Sequence, residues 1–300
     1  MKTLKISLSR IGIIGVPYNT GSKGINIEKG AEALRNAGIV SSLKRFSNVA
    51  DFGDVHVTLP VGDYSNLKLL KPNQVEVLCK ALAKNVKATV TAGYLPFIVG
   101  GDCSVLMGVV EGLRSLNQRI GVVYMDAHGD SNTPETTPSG IIGGMDVAIT
   151  TGRGPEKLTG MFGHSPLLPE ENVVLYGVRD LDPLEAKALA ESKVKVITRE
   201  RIRLESAEEA AKQVVSYLGS KCDCVYLHVD LDVFDPSVIS AAGLPVPDGL
   251  LKNEFLSITR ALAGSGKLCC VALMSFDAAK DIDGSQARKV VELVGEAFRA

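Results

Sequence analysis

Three short segments of this 300-residue chain hold ionisable side chains at spacings suited to metal chemistry. YMDAHGD sets Asp126, His128 and Asp130 two residues apart, LHVDLDVFDP does the same for Asp230 and Asp232, and GGDCS places Cys103 just past an apolar run. Residues two apart in an extended chain point to one side, so each set predicts convergent side chains. Five such groups without a matching set of Lys or Arg repel one another and resist desolvation. A divalent cation relieves both. Carboxylate oxygens with one imidazole suit Mn²⁺ or a similar first-row ion, and a carboxylate-rich cluster can bridge two ions. Two ions about 3.5–4 Å apart generate a hydroxide at neutral pH and clamp an electrophile. A single D-x-H-x-D also arises from caps and turns; two acidic sets at strand ends point to a site. Cys103 stays open at this level, as a buried filler or as a ligand.

The elements that must position these residues alternate along the chain. Apolar, β-rich runs occupy 10–16, 48–53, 95–101, 119–127, 172–178, 193–199, 224–232 and 268–276. Continuous apolar strands separated by helical segments predict a parallel sheet covered on both faces. Helical patterns fit 29–37, 73–90, 105–116, 252–262 and 285–298. Asp182 before Pro183 predicts the start of a helix through Ala190. Ser206 with Glu209 predicts a capping box, and Gly219 a stop for the helix it opens. No repeat or Pro/Ser linker divides the sequence, which predicts one domain over 1–300. In open α/β sheets ligands sit beyond the carboxyl ends of the strands, where all three segments fall.

Composition narrows the partners. A formal net charge of −1, with Lys and Arg scattered, gives no electrostatic footprint for nucleic acid or anionic lipid, and a small molecule is the expected partner. No run approaches the roughly 18 apolar residues of a membrane span, and the first sixteen residues lack the pattern of an export signal. Six cysteines are too few and too closely paired for a disulfide framework, so reduced thiols in a cytoplasmic chain are expected. The IGIIGVPYNTG start lacks the G-x-G-x-x-G of a dinucleotide site.

GGDCS, DAHGDSNTPETTPSG (126–140), GVRDLDP (177–183) and VDLDVFDPS (229–237) together resemble the arginase/agmatinase ureohydrolase family, in that order and at about its spacing. GVPYNTGSKGINIEKGAEALRNAG (15–38) and DFGDV (51–55) resemble its N-terminal region. The resemblance implies an α/β three-layer sandwich around an eight-stranded parallel sheet, a binuclear Mn²⁺ site, and hydrolysis of a guanidino- or amidino-type C–N bond by metal-bound hydroxide. It makes Asp126 and Asp230 bridging ligands. His128 and Asp232 complete one metal site; Asp130 completes the other with position 103, where the family has histidine and this chain has Cys103. Asp130, with His128, would also serve catalysis. A thiolate is softer than imidazole and tilts a site towards Zn²⁺, Fe²⁺ or Co²⁺, or weakens Mn²⁺. The resemblance further implies that Asn132, Thr137 and Ser139 meet the amino-acid end of a substrate, that Asp180 and Asp182 bind its ammonium, and that the chain forms trimers or hexamers. Each binding residue has a plainer reading: Asn132 and Ser139 as turn formers, Asp182 as a helix cap.

Two departures bear on turnover. The family's loop histidine is matched by Gly143 in SGIIGGMDV, and the glutamate that holds a guanidinium is matched by Ser275 in LMSFDAAKD, with Asp277 at the same parity as a substitute. Without a paired carboxylate, a guanidinium loses a bidentate anchor. His228, two residues before Asp230, is expected either to compensate for the missing imidazole or to be a buried, satisfied side chain. His164 is a weak candidate for the missing proton donor. The alternative to a hydrolase is an arginase-like scaffold that binds a ligand or partner without turnover.

Overall fold

The computed structural model describes residues 6–19, 21 and 25–299. Residues 1–5 of the stretch read for an export signal, and residues 20 and 22–24 of the 15–38 segment, lie outside the described residues. Eight strands form one sheet: β1 Arg10–Val16, β2 Asn48–Asp54, β3 Leu95–Gly100, β4 Ile120–Met125, β5 Val173–Val178, β6 Lys195–Thr198, β7 Cys224–Asp230 and β8 Leu268–Met274. Their order is β2-β1-β3-β8-β7-β4-β5-β6, and every ladder between them is parallel.

Parallel strands need crossovers, and the helices that supply them cover both faces. Alternate strand residues serve different layers. Ile11, Ile13, Leu227, Val229, Val271 and Leu273 face one core with α1 (Gly30–Asn36), α5 (Ala207–Lys221), α6 (Lys252–Gly264) and α7 (Ser285–Phe298). Ile14, Val16, Tyr226, Cys270 and Ala272 face the other, against α2 (Pro72–Thr91) and α3 (Leu106–Leu113). The result is the three-layer sandwich the resemblance implies. Helix α4 (Pro183–Glu191) starts beside Asp182 as expected, with the Asp182 N–H donating to Glu185 Oε2 at 3.4 Å. Ser206 caps α5, accepting from the Glu209 N–H at 3.3 Å. Gly219 does not end α5, which runs on to Lys221; with open space around it, a glycine in the last turn is tolerated. No helix among the described residues is long and apolar enough to cross a membrane.

The sequence overextends the strands at their carboxyl ends. β4 stops at Met125 rather than 127, β7 at Asp230 rather than 232, and β8 at Met274 rather than 276. In each case the chain leaves the ladder to turn across the top of the sheet. Side-chain convergence there is a product of turns, not of strand alternation: Asp130 has φ of 44°, and Asp232 sits in a 3-10 turn over Leu231–Val233.

Candidate metal centre

The strands β3, β8, β7, β4 and β5 lie side by side in the sheet, and the segment following each enters one cavity of about 220 Å³. After β3, Gly101 approaches the backbone so closely that a Cβ would sit 1.6 Å from the Tyr18 carbonyl oxygen. Asp102 then caps a 3-10 turn by accepting from the Ser104 N–H at 3.1 Å, and Cys103 opens that turn. After β4, the Asp126 N–H still donates to the Tyr176 carbonyl, at 3.2 Å, before the chain turns. After β7, Asp230 Oδ1 accepts from the Asp232 N–H at 2.8 Å and folds the two carboxylates towards each other.

Two ligand-like groups result. The Cys103 thiol and carboxylate oxygens of Asp126 and Asp230 lie within 4.8 Å of one another, and so do ligand atoms of Asp126, His128 and Asp232. Asp126 belongs to both. Its Oδ1 accepts from the His128 N–H at 2.6 Å, whereas its buried Oδ2 has no hydrogen-bond partner among the described residues. His128 Nδ1 lies 3.2 Å from Asp126 Oδ1 and 3.2 Å from Asp232 Oδ2. Cys103 Sγ donates to Asp230 Oδ2 at 2.9 Å, and the Ser275 hydroxyl donates to the same oxygen. Asp130 lines the cavity but joins neither group; its Oδ2 receives the Tyr124 hydroxyl at 2.6 Å.

The electrostatics follow from burial. Desolvation pushes the Asp126 carboxyl well above the usual range, with Asp232, Asp130 and Asp230 adding to the effect. Desolvation likewise raises Asp230, helped by Asp232, and brings Asp130 up to about 7. Burial opposes the charge on His128, but hydrogen bonds and attraction from Asp126 and Asp232 outweigh it and raise its pKa. The Cys103 thiol is pushed up by burial and then by Asp230. No Lys or Arg lines the cavity among the described residues, so His128 offsets only part of the repulsion among the carboxylates. A divalent cation would satisfy the orphan oxygen of Asp126 and remove that repulsion, and the donor set fits one.

The residues read as substrate contacts gather at the same cavity: Asn132, Thr137, Ser139, Asp180 and Asp182 all line it. Asn132 Nδ2 donates to Asp182 Oδ2 at 3.0 Å, and its Oδ1 accepts from the Thr136 hydroxyl at 2.8 Å. Asp180 stands 3.9 Å from His128 Nε2 with its side chain largely exposed. The structure decides three readings that the sequence left open. Asp277 does not stand in for a glutamate: it is absent from the cavity lining, and its Oδ1 accepts from the Asn26 and Ala279 N–H groups, each at 3.1 Å. His228 is no ligand either. It is fully buried and stacks on Tyr124 at 4.3 Å, with Nδ1 2.7 Å from the Tyr226 hydroxyl and Nε2 unpartnered; burial lowers its pKa to about 3. His164 pairs with Glu111 at 3.1 Å, away from the cavity. Cys79, Cys222, Cys224, Cys269 and Cys270 are buried free thiols outside both groups.

Residue patterns alone did not flag the supports. Arg179 donates to the carbonyls of Asp232 and Val246 at 2.7 and 2.8 Å, pinning the turn that carries Asp232. Buried Glu185 accepts from the Ser131 N–H at 2.7 Å, and Asp146 lies 3.2 Å from the Tyr124 hydroxyl. Arg179 does fall within GVRDLDP and Asp146 within SGIIGGMDV, so those segments carried the available signal.

Comparison with known proteins agrees with this fold. The model of the Arginase family matches residues 9–299. The chain belongs to the arginase family. An arginase of Brevibacillus brevis is 34% identical over 291 residues, covering 96% of this chain and 97% of that protein. The native structure of the arginase from Bacillus caldovelox at pH 5.6 superposes with a TM-score of 0.91 at 32% identity, over 97% of this chain and 99% of that one. The proclavaminate amidino hydrolase from Streptomyces clavuligerus, at 21% identity and a TM-score of 0.72 over 99% of this chain and 94% of that one, shares the arginase-family fold.

Proposed function

We propose that this chain is a metal-dependent hydrolase that cleaves an amidino- or guanidino-type C–N bond in a small molecule with an amino-acid-like end. The observation that carries the reading is the pair of ligand groups sharing Asp126, with its unpartnered Oδ2, at the base of a cavity lined by Asn132, Thr137, Ser139, Asp180 and Asp182. Asp126, His128 and Asp232 would hold one divalent ion, which Mn²⁺ suits; Cys103, Asp126 and Asp230 would hold a second, with Asp130 beside them in the same cavity. Such ions supply an acidified water and a Lewis acid for the scissile group.

The protein's own share is orientation and proton handling. Tyr124 fixes Asp130 Oδ2, and Asp130 orients the attacking water and accepts its proton at the remaining carboxylate oxygen. Asp180 and Asp182 bind the substrate's ammonium, while Asn132, Thr137 and Ser139 meet its carboxylate. Gly143 offers no imidazole to the leaving amine, and Ser275 offers a hydroxyl where a carboxylate would grip a guanidinium. Arginine is therefore a slow substrate, and a smaller or less basic amidine a better one.

A second reading has a specific observation behind it. Asp230 Oδ2 already accepts from both Cys103 and Ser275, which closes one group internally and favours a binding scaffold without turnover. Assay of ammonia, urea and amine release from a panel of guanidino and amidino compounds separates the two. The hydrolase reading predicts turnover that chelator abolishes and that Asp126→Ala lacks. Ligand binding with no turnover of any compound supports the scaffold.

A further inference from the structure

The two ligand groups are chemically unequal, and the difference lies in this chain's own residues. One offers an imidazole nitrogen with carboxylate oxygens, from His128, Asp126 and Asp232; the other offers a thiol sulfur with carboxylate oxygens, from Cys103, Asp126 and Asp230. We propose that the centre is heterobinuclear, with a soft-tolerant ion such as Zn²⁺, Fe²⁺ or Co²⁺ in the Cys103 half and a hard ion such as Mn²⁺ in the His128 half. The inference rests on the metal-dependent reading above and deepens it.

Three observations carry the assignment beyond the presence of a cysteine. First, Cys103 is buried, and its sulfur lies 2.9 Å from Asp230 Oδ2, so the donor atom already sits within the set instead of packing among apolar side chains alone. Second, Asp126 Oδ2 is buried and has no hydrogen-bond partner among the described residues, and Asp126 is the residue common to both halves. An orphan carboxylate oxygen is destabilising, more so when charged, unless something fills its lone pairs. Third, no side chain among the described residues supplies a substitute imidazole: His228 is stacked on Tyr124, lies edge-on to Tyr226 and is absent from both groups. The sulfur is therefore the one donor in its half that is not oxygen.

Ligand type then sets the preference. Mn²⁺ stands lowest in the divalent series and favours oxygen, whereas thiolate selects the softer, later ions. As an ion enters, the thiol proton leaves to solvent and sulfur binds as thiolate. The Ser275 hydroxyl keeps its bond to Asp230 Oδ2 and holds that carboxylate in place.

Cobalt(II) tests this, because thiolate ligation produces a sulfur-to-metal charge-transfer band in the near ultraviolet that oxygen and nitrogen ligands do not. The full chain, stripped with chelator and kept anaerobic, is titrated with Mn²⁺ and then with Co²⁺. The proposal predicts one tight Mn²⁺ per chain and a second bound at least about tenfold more weakly, then growth of the band with one equivalent of Co²⁺. Cys103→Ser should lose the band while its circular dichroism is unchanged. His128→Asn should keep the band and lose the tight Mn²⁺. Equal binding of two Mn²⁺, or two bound ions with no band, overturns the unequal centre and leaves the hydrolase reading standing. No binding of either metal overturns both.

Discussion

The hydroxyl of Tyr124 lies 2.6 Å from Asp130 Oδ2 and ties a residue of β4 to the loop that the same strand feeds. Asp146, buried at the start of a short helix, lies 3.2 Å from the same hydroxyl. A phenol has one proton to donate, and the shorter bond directs it to Asp130. Tyr124→Phe keeps the ring stacked on His228 and removes only the tether. Turnover of the best panel substrate should fall about 10- to 100-fold, because Asp130 loses the bond that orients it, with the fold unchanged by circular dichroism. Steady-state kinetics measures it.

Gly143 stands beside the cavity with room to spare. A Cβ there would meet nothing nearer than 3.8 Å, and the closest atoms belong to Ile141, Asp102 and Cys103. Gly143→His is therefore accommodated and supplies an imidazole where the leaving amine needs a proton. The expected outcome is a kcat about 100-fold higher on the best substrate of the panel, with KM little changed. Steady-state kinetics of product release would show it, and an unchanged kcat would mean that proton transfer to the leaving group is not what limits the chain.

Ser275 is a buried residue with φ of 62°, held where its hydroxyl reaches Asp230. Ser275→Ala removes a donor from a buried carboxylate. The metal-free protein should lose about 1–3 kcal/mol of stability. Less should be lost once metal is bound, because ions then share the load on Asp230. Urea unfolding with chelator and with Mn²⁺ gives the two values.

The pH dependence of the metal-free chain follows from the acids. Asp130 moves from an ordinary 3.8 to about 7 in the folded protein, so the fold holds its proton more tightly than the unfolded chain does. That contribution is fully present below pH 3.8 and is lost as pH rises to about 7. Asp126 and Asp230 shift in the same direction. His128, raised above 6.5, contributes below that value and loses its contribution as pH rises through its folded pKa. Stability measured in chelator should thus fall from acid to neutral pH. With Mn²⁺ the trend should reverse, since ligands bind metal in their deprotonated forms.

Much of this architecture was legible because parallel strands buried on both faces leave continuous apolar runs. All eight were recognisable, and the polar residues beyond them marked the site. The ends of those runs were less legible. Asp126–Ala127 continue the pattern of β4 after its ladder has stopped, because hydrophobicity does not record where a strand's neighbours end. The supports were hidden for a different reason. Tyr124 reads as one more core residue, and its partners Asp130 and Asp146 become neighbours only when the loop folds back. Arg179 reaches Asp232 across 53 residues of sequence. Asp277 shares parity with Ser275, but a 3-10 turn over Ala278–Lys280 uses its carboxylate as a cap.

The most direct test of the metal-dependent account is the number of metal ions per chain, by elemental analysis after loading and desalting, for the wild type and Asp126→Ala, with turnover of the panel measured on the same samples. The account predicts two ions and turnover in the wild type, and loss of both ions and all turnover when the shared carboxylate is gone. Equal turnover in the two proteins, or a wild type that binds no metal yet hydrolyses substrate, would contradict it.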